Sequence, residues 1–404
     1  LQRDEDASAE DGIIVMSDGG EAGWQIETSN DPAVLIDSLF PPPQSDAARR
    51  APERPAELRA LASSRRLRWI FPADARARGF MSAWQPNGTF RAWIWRRVVR
   101  ASTGAVGGLL PGLTRHAIDG AAMAGLGRRF GAEAADCLPV IYVGTAGYRR
   151  KAVIGWVDKR GDCAAVGKFP LGRQAGDALR NEARALSGPA AGLGIAMPAL
   201  HNFDDESGIL LESSVAGRNC LDPFDARHRD LLLKFIDPEP RAAATIYADL
   251  FTAEHRRLAG LAEKLLAGHG ETALRPALMH GDFITPNFKC IDGRQLALVD
   301  WEYYSPRGAP LADAIFFQYF DAYFMQELRG ARLLEFVFRF VDGAHFGDLC
   351  EAVSLGAPER RRFACLGLLA VAQSRLRHDP DNSDDTAPPI LDFIDAAVNE
   401  NYAA

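Results

Sequence analysis

The stretch that most constrains this chain is residues 278–302, LMHGDFITPNFKCIDGRQLALVDWE. Within it His280, Asp282 and Asn287 stand at the spacing H-x-D-x-x-x-x-N. Asp292–Gly293 then signals a tight turn, and LALVD reads as an apolar strand ending on Asp300. Composition alone would produce the spacing in about one chain of this length in a hundred, and the hairpin behind it makes coincidence rarer. Such a hairpin brings Asp282, Asn287 and Asp300 into one small volume. Phosphoryl transfer needs a carboxylate to orient the acceptor hydroxyl and take its proton, and hard oxygen ligands for a magnesium ion on the phosphates. Asp282 is the expected base, with Asn287 and Asp300 the expected metal ligands. A buried polar turn, in which His280 and Asn287 satisfy backbone groups, is the alternative account of the same residues.

The segment resembles the catalytic region of aminoglycoside phosphotransferases and choline kinases, a family with a protein-kinase-like fold. The residues that carry the resemblance are His280-Gly281-Asp282, Asn287, and LVDWE with Asp300 and Glu302. It extends over about residues 136–404 and is strongest in 278–302. Phe283 and Ile284-Thr285-Pro286 fill positions that vary in the family and say little about substrate. The resemblance implies ATP or GTP as donor, with Mg2+, and a small-molecule hydroxyl as acceptor. It also implies an α+β bilobal protein-kinase-like fold, with a small antiparallel β N-lobe and a mostly helical C-lobe.

Upstream, the pattern fits a nucleotide-binding sheet. LPVIYVG, AVIGWVD and CAAVGKF alternate as strands, with GTAGYRRK and KRGD as turns. Alternation places Ala164, Val166 and Lys168 on one face, so Val166 would touch adenine and Lys168 would reach the phosphates. AGDALRNEARALSG follows as a helix, and Glu182 shares its inward stripe with Leu179 and Leu186. A charge there needs a partner, and Lys168 is the natural one, a pair that kinases also use. A strand-edge lysine and a surface glutamate are the competing accounts. Glu212 and Ser214 in LLESSVAG match the connection where backbone groups bind adenine. Arg149, Arg150 or Lys151 could assist phosphate binding from GTAGYRRK, although an ordinary hairpin turn fits that segment equally. Asp313 matches a position that anchors the helix after the metal loop, and a helix-start role is expected for it.

Four regions are expected: a linker-rich N-terminal segment at 1–65, an N-terminal extension at 66–135 packed on the N-lobe, the nucleotide-binding N-lobe at 136–212, and the helical C-lobe at 213–404. Residues 1–65 are acidic and then rich in Pro, Arg and Ala, with WQIETSNDPAVLIDSLF as one apolar island. Trp69, Trp84, Trp93 and Trp95 cluster in the extension, where FRAWIW could be a strand or an amphipathic helix. Helical patterns run over 239–268, 311–328, 331–343, 358–377 and 387–401.

A net charge of -7 argues against a general nucleic-acid or anionic-membrane binder. Only six lysines occur, so one at a chemically meaningful position carries extra weight. The six cysteines show no zinc spacing, and reduced thiols in a cytoplasmic protein are the simplest expectation. No apolar run is long enough to span a bilayer, and the opening LQRDEDASAEDG lacks the basic and apolar regions of a signal peptide. The expected activity is therefore an ATP-dependent small-molecule kinase. Its acceptor is expected to be a sugar or glycan-related metabolite ahead of an amino alcohol or aminoglycoside, because beyond the site only Glu302 and Asp321 offer carboxylates for a cation. The rival is a nucleotide-binding pseudokinase scaffold that regulates a partner. A metal-dependent hydrolase is less well supported, for want of a second His/Asp cluster at ligand spacing.

Overall fold

The computed structural model describes residues 29–41, 56–63, 66–83, 90–104, 110–131, 136–145, 149–172, 174–251, 254–378 and 386–400, together with Ala134 and Gly147. These form an α+β chain with two compact units, one carrying an antiparallel sheet and the other mostly helical. That is the class the sequence implies.

In the first unit six strands pair in the order β3-β1-β2-β4-β5-β6. They are β1 (Ala56–Ser63), β2 (Arg66–Pro72), β3 (Leu113–Ile118), β4 (Leu138–Val143), β5 (Lys151–Val157) and β6 (Cys163–Pro170). Each neighbouring pair among them is antiparallel, with Trp69 opposite Tyr142 and Val153 opposite Lys168. The β5–β6 turn is tied by the Asp158 carboxylate, which accepts from Arg160 N–H at 2.8 Å and Asp162 N–H at 3.0 Å. Alternation in β6 runs as expected: Ala165 and Phe169 are buried on one face, while Ala164 is exposed and Val166 half-buried on the other.

Part of 1–65, read from composition as linker, is regular structure. Pro32–Leu39 is a helix capped by Asp31, whose carboxylate accepts from Ala33 N–H at 2.9 Å, and β1 lies between β2 and β3. Composition concealed this strand because its four buried positions, Leu58, Arg59, Ala60 and Leu61, include an arginine and an alanine. Arg59, 8 % exposed, donates to the carbonyls of Ser102 (2.5 Å) and Gly104 (2.9 Å), where a cation meets the negative end of helix Phe90–Ser102. FRAWIW is thus helical. The 66–135 segment divides: 66–78 and 100–135 fall in the sheet unit, and 79–99 in the helical unit.

The second unit contains the neighbouring strands β7 (Leu200–Asp204) and β8 (Ile209–Ser213) apart from Ile209, and the helices Ala226–Leu233, Arg256–Leu266, Ala312–Phe320, Gly330–Val341, Ala344–Ala352, Arg360–His378 and Ala387–Asn399. Helix Ala344–Ala352 falls outside the expected helical stretches. The core centres on Arg360–His378, in which Leu366, Leu368, Leu369, Val371 and Ala372 are fully buried. No helix among the described residues is long and apolar enough to cross a membrane. No disulfide joins the six cysteines.

Candidate active site

One hairpin assembles the oxygen-bearing residues. Strands Phe288–Ile291 and Gln295–Leu298 pair with Phe288 opposite Leu298 and Ile291 opposite Gln295. Asp292 (φ 49°) and Gly293 (φ 72°) both take the left-handed backbone of a tight hairpin turn, closed by Arg294 N–H on the Ile291 carbonyl at 3.1 Å. This register sets Asn287 beside Val299, whose N–H donates to the Asn287 carbonyl at 3.0 Å. Asp300 comes next and is itself left-handed at φ 67°. A non-glycine residue held there is strained, and such strain clusters at functional sites.

Asp282 is gripped at both oxygens. Asn287 Nδ2 donates to Oδ2 at 2.7 Å and to the Asp282 carbonyl at 2.8 Å. Arg375, on helix Arg360–His378, donates from Nη2 to Oδ1 at 2.5 Å and to the Gly281 carbonyl at 3.0 Å. Burial pushes the Asp282 carboxyl up from its ordinary value, Arg375 pulls it down, and the carboxylates of Asp300 and Glu302 push it up again. A carboxylate made more basic in this way suits a general base working near neutral pH. Arg375 has no counterpart in the motif and was not anticipated. Its own stretch, AVAQSRLRH, also carries Gln373, Ser374, Arg377 and His378, so no local signal set it apart.

His280 is fully buried and neutral. Its Nδ1 accepts from Asp282 N–H at 3.2 Å, and Nε2–H donates to the Val299 carbonyl at 3.1 Å, so the ring ties the Asp282 loop to the segment that leads into Asp300. Burial pushes its pKa down to about 4. Because the folded value lies below the ordinary one near 6.5, His280 supports the fold above that value. The support is lost as pH falls toward 4. Between pH 7 and pH 5 the wild type should lose about 2 kcal/mol more stability than His280→Gln, read by urea unfolding. Parallel losses in the two proteins would show that His280 is not held neutral.

Asp313 corrects an expectation. The N-cap of helix Ala312–Phe320 is Leu311, in the left-handed region, and no side chain caps it. The Asp313 carboxylate instead accepts from His280 N–H at 2.7 Å and Gly281 N–H at 2.9 Å, holding the loop rather than the helix. Burial raises it to about 7 despite those two donors.

Helix Ala175–Ser187 clamps the segment after Asp300. Glu182, 0 % exposed, accepts the Trp301 N–H at 3.0 Å, while Asn181 Nδ2 donates to the carbonyls of Glu302 (3.0 Å) and Tyr304 (2.8 Å). Glu182 is therefore no surface carboxylate. Asn181 is a positioning residue that the sequence reading missed. Lys168 is buried on β6, not a strand-edge lysine facing water. Glu212 is buried on β8, and Ser214 is half-buried just beyond it. Arg150, considered for phosphate, is buried and donates to the Ser29 carbonyl at 2.7 Å. Asp321 accepts from Gln326 Nε2 at 2.7 Å, and Phe316, Phe317 and Tyr319 are buried core residues.

Among the described residues no group of three or more His, Cys, Asp or Glu could hold a metal ion. Magnesium in phosphoryl-transfer sites commonly takes only one or two protein oxygens, the rest coming from phosphates and water. The pair Asn287 and Asp300 fits that donor set. With its amide nitrogen engaged by Asp282, Asn287 has its amide oxygen to offer a hard cation.

No known family's sequence model matches the chain, and no curated protein matches it either. Solved structures do. A choline kinase from Streptococcus pneumoniae matches at 15% identity and TM-score 0.38, over 62% of this chain and 89% of that one. A macrolide 2'-phosphotransferase from Brachybacterium faecium matches at 17% identity and TM-score 0.35, over 62% and 92%. An aminoglycoside phosphotransferase matches at 14% identity and TM-score 0.38, over 64% and 93%. Similarity at this level fixes neither donor nor acceptor for this chain.

Proposed function

We propose that this chain is an ATP-dependent phosphotransferase that phosphorylates a hydroxyl of a small polar molecule. The observation that carries the reading is the Asp282 carboxylate, held between Arg375 and Asn287, beside a hairpin that presents Asp300. Asp282 orients the acceptor hydroxyl and takes its proton. Asn287 and Asp300 would hold Mg2+, which when bound neutralises the phosphates of the donor. Glu182 keeps the Asp300 segment in place through Trp301 N–H. Lys168 contacts the phosphates, Val166 contacts adenine, and Glu212 and Ser214 mark the backbone that reads its edge. The acceptor is a sugar or glycan-related metabolite ahead of a cationic amine, since Asp321 is already engaged by Gln326. A cytoplasmic location suits an ATP-consuming enzyme.

Thermal shift tests the donor half of this reading. ATP with Mg2+ at a hundredfold excess over Kd should stabilise the protein by about 2.7 kcal/mol, and Asn287→Ala or Asp300→Ala should abolish the added effect of magnesium. Absence of any nucleotide shift in the wild type would sink the kinase reading. Binding without ADP release on any acceptor would favour the pseudokinase scaffold.

A further inference from the structure

We propose that Arg375 is a positioning residue for the base, fixing the Asp282 carboxylate from a helix 93 residues further along the chain. The inference rests on the reading of Asp282 as base and adds a residue that the motif does not contain. Its Nη2 reaches both Oδ1 of Asp282 and the carbonyl of the preceding residue, Gly281. The guanidinium sits over Tyr303, its central carbon 3.6 Å from the ring centroid, with the Phe316 ring at 5.4 Å. Its side chain is 7% exposed and that of Asp282 15%.

Three consequences follow from this arrangement. With Oδ1 on Arg375 and Oδ2 on Asn287, the carboxylate cannot turn about its last bond without breaking a charge-assisted hydrogen bond. Both side chains are largely buried, so loss of Arg375 would leave the Asp282 charge poorly compensated. The arginine cannot drift, because Tyr303 supports it and helix Arg360–His378 is the centre of the core. The aim of the base is therefore set by the helical core rather than by its own flexible loop, and an error of about 1 Å in such aim can cost about a hundredfold in rate.

Two variants and one readout test the role. ADP release is measured with ATP, Mg2+ and water as acceptor, so no acceptor need be known. Arg375→Met, which keeps an apolar stem, should lower kcat by about thirtyfold to a hundredfold while KM for ATP stays within about threefold. Arg375→Lys keeps one charged nitrogen that can face Oδ1 of Asp282, and should recover about tenfold of that loss. Full kcat in Arg375→Met, or a Lys variant no better than Met, would overturn the role. Melting temperature supplies a measurement that needs no turnover. Arg375→Met strands a buried carboxylate, so adding Asp282→Asn should raise the melting temperature above that of Arg375→Met alone, whereas additive losses would mean the two residues are not coupled and would overturn the proposal. A wild type that releases no ADP while binding nucleotide would overturn the phosphotransferase reading and the role with it. An active wild type beside an equally active Arg375→Met overturns the role alone.

Discussion

Asp282→Asn should reduce turnover by about a hundredfold or more while nucleotide affinity stays nearly unchanged. Asparagine fills the same volume and its amide oxygen can still accept from Arg375; its NH2 then faces the Asn287 Nδ2 donor and that one hydrogen bond is lost, but the bonds of Arg375 and Asn287 to the loop carbonyls keep its shape. What it cannot do is take a proton. General-base loss typically costs about 10²–10⁴ in rate, and the basicity that burial and the neighbouring carboxylates give Asp282 disappears with it. The fold responds less. The substitution removes a carboxylate whose burial is unfavourable, but also the partner of a buried guanidinium, and the two partly cancel. A modest fall in melting temperature is expected, measured alongside ADP release and ATP titration. Undiminished turnover would mean that Asp282 is not the base. A large loss of nucleotide affinity would mean that it serves binding instead.

The site was legible where its logic is local. The spacing of His280, Asp282 and Asn287, followed by a turn and an apolar strand, is written in consecutive residues, and a hairpin register converts it directly into proximity. Burial of Glu182 was legible too, since a period-3.6 pattern reports which side of a helix faces inward. Arg375 and Asn181 were not. Each acts on backbone or carboxylate groups about a hundred residues away, and nothing in the local sequence separates such a residue from an exposed one. Asp313 was misread for a related reason: its position at a helix start suggested a cap, but the carboxylate turns to a loop packed beneath that helix start. Strand β1 failed differently. Its pairing is supplied on both sides by β2 and β3, so tertiary context overrides a composition that by itself reads as linker.

Gly281→Ala should be the most damaging substitution to the fold at this site, and a second glycine allows its cause to be isolated. Gly281 has φ +79°, and an added Cβ would lie 2.6 Å from both Cβ and the carbonyl oxygen of Tyr303. Neither atom is the free end of a flexible side chain. Tyr303 in turn supports the Arg375 guanidinium, so it cannot retreat without disturbing the contact to Asp282. Gly293, at the hairpin turn, has nearly the same backbone, φ +72°, but nothing within 4 Å of its added Cβ. Alanine at 293 therefore costs only the left-handed backbone penalty, about 1–2 kcal/mol. Alanine at 281 adds the displacement of Tyr303 and should cost about 4 kcal/mol or more, with ADP release lost even in the protein that still folds. Urea unfolding of the two variants side by side measures the difference. Equal destabilisation would show that the loop at Gly281 has room to move and that Tyr303 does not hold the base in register.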